Sequence, residues 1–389
     1  MIHILRNARL YSPKNEGIQH LLIAGSSIAY CGTDIPDVDS NLVTSDTDVE
    51  GRVIIPGLID AHTHTTGGGG ESGYSSRVPA VPLTQFTRAG VTSVVGLLGT
   101  DDTVRSTSSL IAQTYSLREE GLNAWCYTGG YHFPLTTLTG SVRSDIVHVE
   151  CIIGVGELAI SDHRSSQPSL DEVVRVAGDA HVAGLMTGKA GIVHFHLGDG
   201  DRKLALIERA LCETEIPARV FNPTHVNRNK ALFEHACELS HQGITVDLTA
   251  SPESEDLHDD SWSATSGFLR YKEGGHPMDK ITISSDGGGC LPIFNEAGEL
   301  QSLDFGRSME LNVTLRSLIE QGELLEDVLP AMTSNPAALL RLRNKGRIGV
   351  GFDADIVILD DKYIPRSVMI RGVWHIKDDL TLLKGAFES

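Results

Sequence analysis

Histidine and carboxylate residues stand in this chain at spacings that could grip a metal ion. The segment Asp60-Ala61-His62-Thr63-His64 sets two imidazoles two residues apart. In an extended strand, residues two apart project to the same side, so both rings can chelate one ion. Glu157, His196, His225 and Asp286 lie at the ends of later apolar runs. Four imidazoles and two carboxylates make a borderline-hard donor set, suited to Zn2+, Mn2+, Co2+ or Fe2+. An isolated His-x-His on a strand is more often incidental, and His196, His225 or Asp286 alone carries less weight still. Joint placement is what counts, because structural histidines have no reason to gather at one end of successive strands.

The elements that must position these residues follow a regular rhythm. Short Val- and Ile-rich runs occur at Val53–His62, Thr92–Gly99, Ala124–Gly130, Ile152–Ile160, Ile192–Leu197, Arg219–His225, Ile244–Ala250 and Lys280–Asp286. Helical text fills most of the gaps: Thr103–Glu120 has helical periodicity, Ser169 with Glu172 resembles a capping box, and Lys230–Gln242 is amphipathic. Eight strand–helix repeats predict an α/β chain closed into a (β/α)8 barrel, with its site at the C-terminal ends of the strands. A doubly wound open sheet is the rival, but no Gly-x-Gly-x-x-Gly follows the first strand. Both ends read as short strands, at Ile2–Leu10, His20–Gly32, Asp355–Leu359 and Ser367–Ile376. They predict a small β-sandwich domain from residues 1–52 plus 344–389, around a barrel domain of residues 53–343.

Composition narrows the partners. A formal net charge of −19 over 389 residues argues against nucleic acid or anionic membrane. Six scattered cysteines with no C-x-x-C pair form neither a disulfide framework nor a zinc ribbon. The N-terminus has no signal-peptide pattern and no run is long enough to span a bilayer, so the cytoplasm is the expected compartment.

Longer segments carry a resemblance. Pro56-Gly57-Leu58-Ile59-Asp60-Ala61-His62-Thr63-His64, Pro223-Thr224-His225, Ser284-Ser285-Asp286 and Gly351-Phe352-Asp353-Ala354-Asp355-Ile356-Val357 resemble the amidohydrolase superfamily from end to end. Within it, Gly67–Glu71, Gly96–Thr100, Ile160–Arg164 and Thr224–Asn229 are most similar to isoaspartyl (β-aspartyl) dipeptidases. The resemblance implies a binuclear hydrolase in which His62 and His64 hold a buried ion and His196 and His225 a more exposed one. Asp286 ligates the first ion and acts as general base. The family usually bridges its ions with a carboxylated lysine on strand 4, where this chain has Glu157. No lysine lies between Ala124 and Thr187, and Lys189 falls at the wrong end of the barrel. Glutamate offers a bridging carboxylate of the same charge on a shorter arm, and Gly154 and Gly156 are expected to let it reach both ions.

Two dications, zinc being the first choice, can lower the pKa of a shared water from ~15.7 toward neutrality. Tyr131 matches the family tyrosine that hydrogen-bonds the tetrahedral oxyanion. A β-aspartyl dipeptide carries one ammonium and two carboxylates. Glu71 is the candidate for the ammonium, Arg164 and Arg228 offer planar forks for the carboxylates, and Thr100 could add a contact. Cys290 stands where the family usually has a substrate-touching serine, and a thiol is the weaker hydrogen-bond partner. The resemblance further implies a homo-oligomer, an octamer among the options. Two rival readings remain: another amidohydrolase, acting on N-acyl amino acids or cyclic amides, and a non-catalytic scaffold of the same fold.

Overall fold

The computed structural model describes residues 2–35, 37–251, 260–294 and 300–388. Eight parallel strands succeed one another in chain order: β1 (Leu58–Thr63), β2 (Val91–Gly96), β3 (Asn123–Thr128), β4 (Ile152–Ile160), β5 (Val193–Leu197), β6 (Phe221–Thr224), β7 (Val246–Thr249) and β8 (Ile281–Ser284). Helices such as Thr107–Glu119, Leu170–Thr187 and Lys230–Ser240 connect them. This is the (β/α)8 barrel that the strand–helix rhythm predicts. Apolar side chains from both element types merge in one core that includes Val94, Leu110, Ile152, Val173, Phe195, Phe221, Leu248 and Ile283.

The helix starts obey local chemistry. Ser169 accepts from the backbone of Glu172, and the Glu172 carboxylate accepts from the Ser169 amide at 2.8 Å. This reciprocal cap satisfies two of the amides that a helix N-terminus leaves open. Ser106 makes the same reciprocal cap with Ser109, and Ser141 and Asn229 each cap a further helix through one side-chain oxygen.

The apolar run Val53–His62 breaks in two. Val53–Pro56 pairs antiparallel with Ile356–Leu359, while Leu58 opens β1. The first piece belongs to a mixed sheet of nine strands drawn from both termini, ordered around the long strand Ile2–Tyr11. That strand shifts register between Leu5 and Ala8; its first half pairs with Val43–Asp48 and its second with Val53–Pro56. An extra residue of this kind bends a sheet. The sheet keeps a core of its own, with Leu5, Leu10, Leu21, Ile23, Ile54, Ile356 and Met369.

The barrel is not hydrogen-bonded evenly. Strands β1–β6 form one parallel ladder and β7–β8 a second, and among the described residues no ladder joins β6 to β7. Buried side chains cross that seam: Asn222 Nδ2 donates to the Thr245 carbonyl at 2.7 Å, and Thr224 Oγ1 donates to Asp247 Oδ2 at 2.7 Å. Asp247 also accepts from Thr282 and Ser284 on β8. At the β8–β1 seam, Asp60 accepts from the Ser285 amide at 3.0 Å and from the Ser285 hydroxyl, and Thr63 bridges to Gly287. Among the described residues, no helix is long and apolar enough to cross a membrane.

Candidate metal centre

Five of the six ligand candidates sit near or just beyond the C-terminal end of a barrel strand, and Glu157 lies three residues before the end of β4. His62 and His64 come from β1, Glu157 from β4, His196 from β5, His225 follows β6 and Asp286 follows β8. His225 and Asp286 take left-handed backbone conformations, with φ of 60° and 51°. Such conformations cost of order 1–3 kcal/mol and persist where the surroundings over-determine them, commonly at functional sites. Here the turn points each side chain back over the barrel mouth.

The side chains converge. Asp286 Oδ1 lies 3.3 Å from His62 Nε2 and 3.1 Å from His64 Nε2. The Glu157 carboxylate lies in the middle: Oε1 is 3.4 Å from His64 Nε2, and Oε2 is 3.2 Å from His196 Nδ1, 3.6 Å from His225 Nε2 and 3.7 Å from His62 Nε2. One carboxylate thus faces all four imidazoles. Two overlapping triads, His62–His64–Asp286 and His62–Glu157–His225, keep their ligand atoms within 4.8 Å of one another. Such closeness needs small neighbours. A Cβ on Gly99 would lie 2.6 Å from the His64 ring, and one on Gly156 would lie 2.9 Å from the His194 Cβ. The glycine beside Glu157 therefore makes room for strand β5.

The donor set fits divalent cations. His62 Nε2 and Asp286 Oδ1 are buried without a hydrogen bond, and a buried orphan of this kind normally needs a partner. Electrostatics agree. Burial drives the Glu157 carboxyl up, but the charge of His62 and the hydrogen bonds of His196 and His225 outweigh it and hold the group well below the usual range. Burial likewise opposes ionisation of Asp286, and His62 and His64 reverse it. His62 is pushed up to about 9 despite burial, because Glu157 and Asp286 face it. The site holds negative charge that wants cations.

The far nitrogens of the rings are engaged too, and such contacts fix which nitrogen faces an ion. His225 Nδ1 lies 2.6 Å from Thr249 Oγ1, leaving Nε2 inward. His196 Nε2 lies 3.0 Å from Asp162 Oδ2, leaving Nδ1 inward. His62 Nδ1 lies 2.8 Å from His194 Nε2, and burial holds His194 down at about 3, so it is neutral. His194 and Asp162 escaped the sequence reading. His194-Phe195-His196 repeats the spacing of His62-Thr63-His64 and was there to be seen; Asp162 returns over the site only because Ser161 turns with φ of 53°.

The remaining candidates ring the mouth. The Tyr131 hydroxyl lies 2.7 Å from His196 Nδ1, and burial pushes its pKa well above the ordinary value, so it stays a donor. Arg164 forks onto Asp162 at 3.1 and 2.8 Å and reaches Glu71 Oε1 at 3.4 Å. Its carbonyl faces His132 Nε2 at 2.9 Å, while His132 Nδ1 lies 2.9 Å from Asp102 Oδ1, a chain that steadies the loop. Arg228 Nη1 donates to the Leu197 carbonyl at 2.8 Å and lies 3.4 Å from His196 Nε2. Thr100 is half-buried after β2, next to Gly99, with no hydrogen bond to the donor cluster among the described residues. Cys290 is half-buried, and burial, with Glu71 and Asp286 nearby, pushes its thiol up to about 11, keeping it protonated.

Known proteins share this arrangement of chain. The amidohydrolase family model matches residues 53–375. The crystal structure of beta-aspartyl dipeptidase from Fervidobacterium islandicum AW-1, in complex with beta-Asp-Leu dipeptide, is 40% identical with a TM-score of 0.91, over 98% of each chain. The imidazolonepropionase of Ruegeria sp. (strain TM1040) is 22% identical over 92% of each chain. Dihydropyrimidinase from Brevibacillus agri NCHU1002 shares the fold, with a TM-score of 0.69 at 17% identity over 99% of this chain and 97% of its own. A match running from Val53 to His375, over a donor cluster built for cations, means that the chain belongs to the amidohydrolase family and is a hydrolytic, metal-dependent enzyme.

Proposed function

We propose that this enzyme hydrolyses β-aspartyl dipeptides, using two divalent ions, zinc being the first choice. The reading rests most on the 40% identity, spread over 98% of the chain, to a beta-aspartyl dipeptidase bound to its dipeptide. The charges at the mouth support it: Arg164 and Arg228, which Asp162 steadies from behind, have the sign that two carboxylates need, and Glu71 the sign that an ammonium needs.

His62, His64, Glu157, His196, His225 and Asp286 would hold the ions. Bound there, divalent cations supply Lewis acidity, which acidifies water and polarises a carbonyl. Asp286, ionised and within 3.3 Å of His62, takes the proton of the attacking water and delivers it to the departing amine. Tyr131 donates from its protonated hydroxyl to the oxygen that becomes negative. Arg164 and Arg228 hold the carboxylates, and Glu71 the ammonium. Cys290 stays a neutral thiol at the rim and repels neither.

The β-linkage puts one methylene between the scissile carbonyl and the carbon bearing the ammonium and α-carboxylate. In an α-aspartyl dipeptide the scissile carbonyl sits directly on the carbon bearing the ammonium and the methylene leads to the free carboxylate instead, so the same charges pull the carbonyl off its place. A misplacement of about 1 Å can cost ~100-fold. Accordingly, kcat/KM for β-Asp-Leu should exceed that for α-Asp-Leu by about 100-fold or more. Equal rates, or faster hydrolysis of N-acetyl amino acids or dihydroorotate, would overturn the substrate assignment. Tyr131→Phe removes one oxyanion donor and should lower kcat by about 10²–10³-fold. Steady-state kinetics with kcat unchanged would take Tyr131 out of that role.

A further inference from the structure

An imidazole offers a metal ion only the ring nitrogen that lacks a proton, so whatever sets the tautomer sets the ligand atom. We propose that Asn222 and His194 form a relay behind His62 that presets its Nε2 as the metal-binding atom. It begins at a main-chain carbonyl. Asn222 Nδ2 donates to the Thr245 carbonyl at 2.7 Å, which fixes the amide with Oδ1 turned to His194. Oδ1 can only accept, so His194 Nδ1, 2.6 Å away, carries the proton. In the neutral ring Nε2 is then an acceptor. It takes the proton of His62 Nδ1 across 2.8 Å, and the lone pair of His62 is left on Nε2, beside Glu157 and Asp286. The opposite tautomer of His194 would put a proton on His62 Nε2 and close that position.

The relay is built to stay in place. His194 and Asn222 are completely buried. The Tyr127 ring stacks on His194 at 5.4 Å and 29°, holding its plane. The missing Cβ of Gly156 leaves room beside the His194 Cβ and the edge of the Tyr127 ring. His194 and Asn222 are positioning residues: neither bears a ligand atom in the six-residue cluster. The proposal depends on that cluster holding metal and not on the choice of substrate.

His194→Phe keeps the ring and removes the acceptor. His194→Gln loses the ring but puts an amide oxygen where Nε2 lies. Zinc affinity, read by competition with a chromogenic chelator, should fall on the order of 10–100-fold in His194→Phe and stay within a few-fold of wild type in His194→Gln. A packing role predicts the reverse order, since phenylalanine fills the space better. Melting of the metal-free variants checks that each folds. Nitrogen-15 spectra of histidine-labelled wild type, metal-free and zinc-loaded, should show His194 protonated at Nδ1. Wild-type affinity in His194→Phe, equal losses in both variants, or an Nε2-protonated His194 would each sink the relay alone. A wild-type protein that takes up no zinc would sink the metal reading of the cluster and the relay with it.

Discussion

Asp286→Asn is expected to lower kcat by about 10³–10⁴-fold while leaving the fold intact. A positioned acid–base group contributes up to about 10⁴-fold, and Asp286 also faces the imidazoles of His62 and His64. Asparagine has the same shape and tolerates the left-handed φ of 51° at this position, so the backbone turn should survive. What it lacks is charge and basicity. Its amide cannot take a proton from water, and it no longer sets an anionic oxygen beside His62 and His64. Metal content by elemental analysis, melting temperature and kcat should be read together. Near-normal turnover would remove Asp286 from the base role, and a collapsed melting temperature would mean that its contribution is structural.

Glu157→Gln should weaken metal binding by about 10²–10³-fold, with activity falling alongside at ordinary metal concentrations. Its carboxylate lies within 3.2–3.7 Å of all four imidazoles. Removing one member of a buried charged cluster typically costs ~3–5 kcal/mol, and each 1.4 kcal/mol is about tenfold in affinity. Glu157→Lys tests the geometry. A carbamate formed on lysine would carry the same charge on a longer arm. A carbon added at Gly99 would lie 2.6 Å from the His64 ring and 3.2 Å from Glu157 Oε1, so that wall already sits close against the carboxylate and leaves a longer arm little room. Glu157→Lys should therefore stay inactive in bicarbonate-rich medium. Recovery of activity with bicarbonate would show that the barrel can widen to take the longer bridge.

Much of this was legible in the sequence, for reasons that can be named. Strand ends are readable because apolar runs stop where polar residues begin, and a barrel converts those stops into one ring. So His62, His64, Glu157, His196, His225 and Asp286 could be picked from primary order alone, and they meet. The break at Gly57 was not readable, because the apolar residues run on from Val53–Pro56 into Leu58 and Ile59 and only pairing partners tell the two pieces apart. The support behind the ligands was hidden for another reason. Asp162 works through a turn that brings it back over β5, and Asn222 and Asp247 act on neighbouring strands through side-chain bonds. Their partners lie 23–37 residues away, and no periodicity marks them.

The uneven lacing of the barrel bears on how this active site could be retuned. Strands β7 and β8 hang together but are moored to both neighbours by Asp247, Asp60 and a handful of hydroxyls. Asp286 rides on that raft, while His62, His64, Glu157, His196 and His225 ride on the larger hull. Trimming or lengthening a mooring such as Thr224 or Ser285 would slide the base toward or away from the imidazoles without altering any ligand. The gap across the reaction centre is thus a dimension that hydroxyl side chains outside the six-residue cluster hold in their keeping.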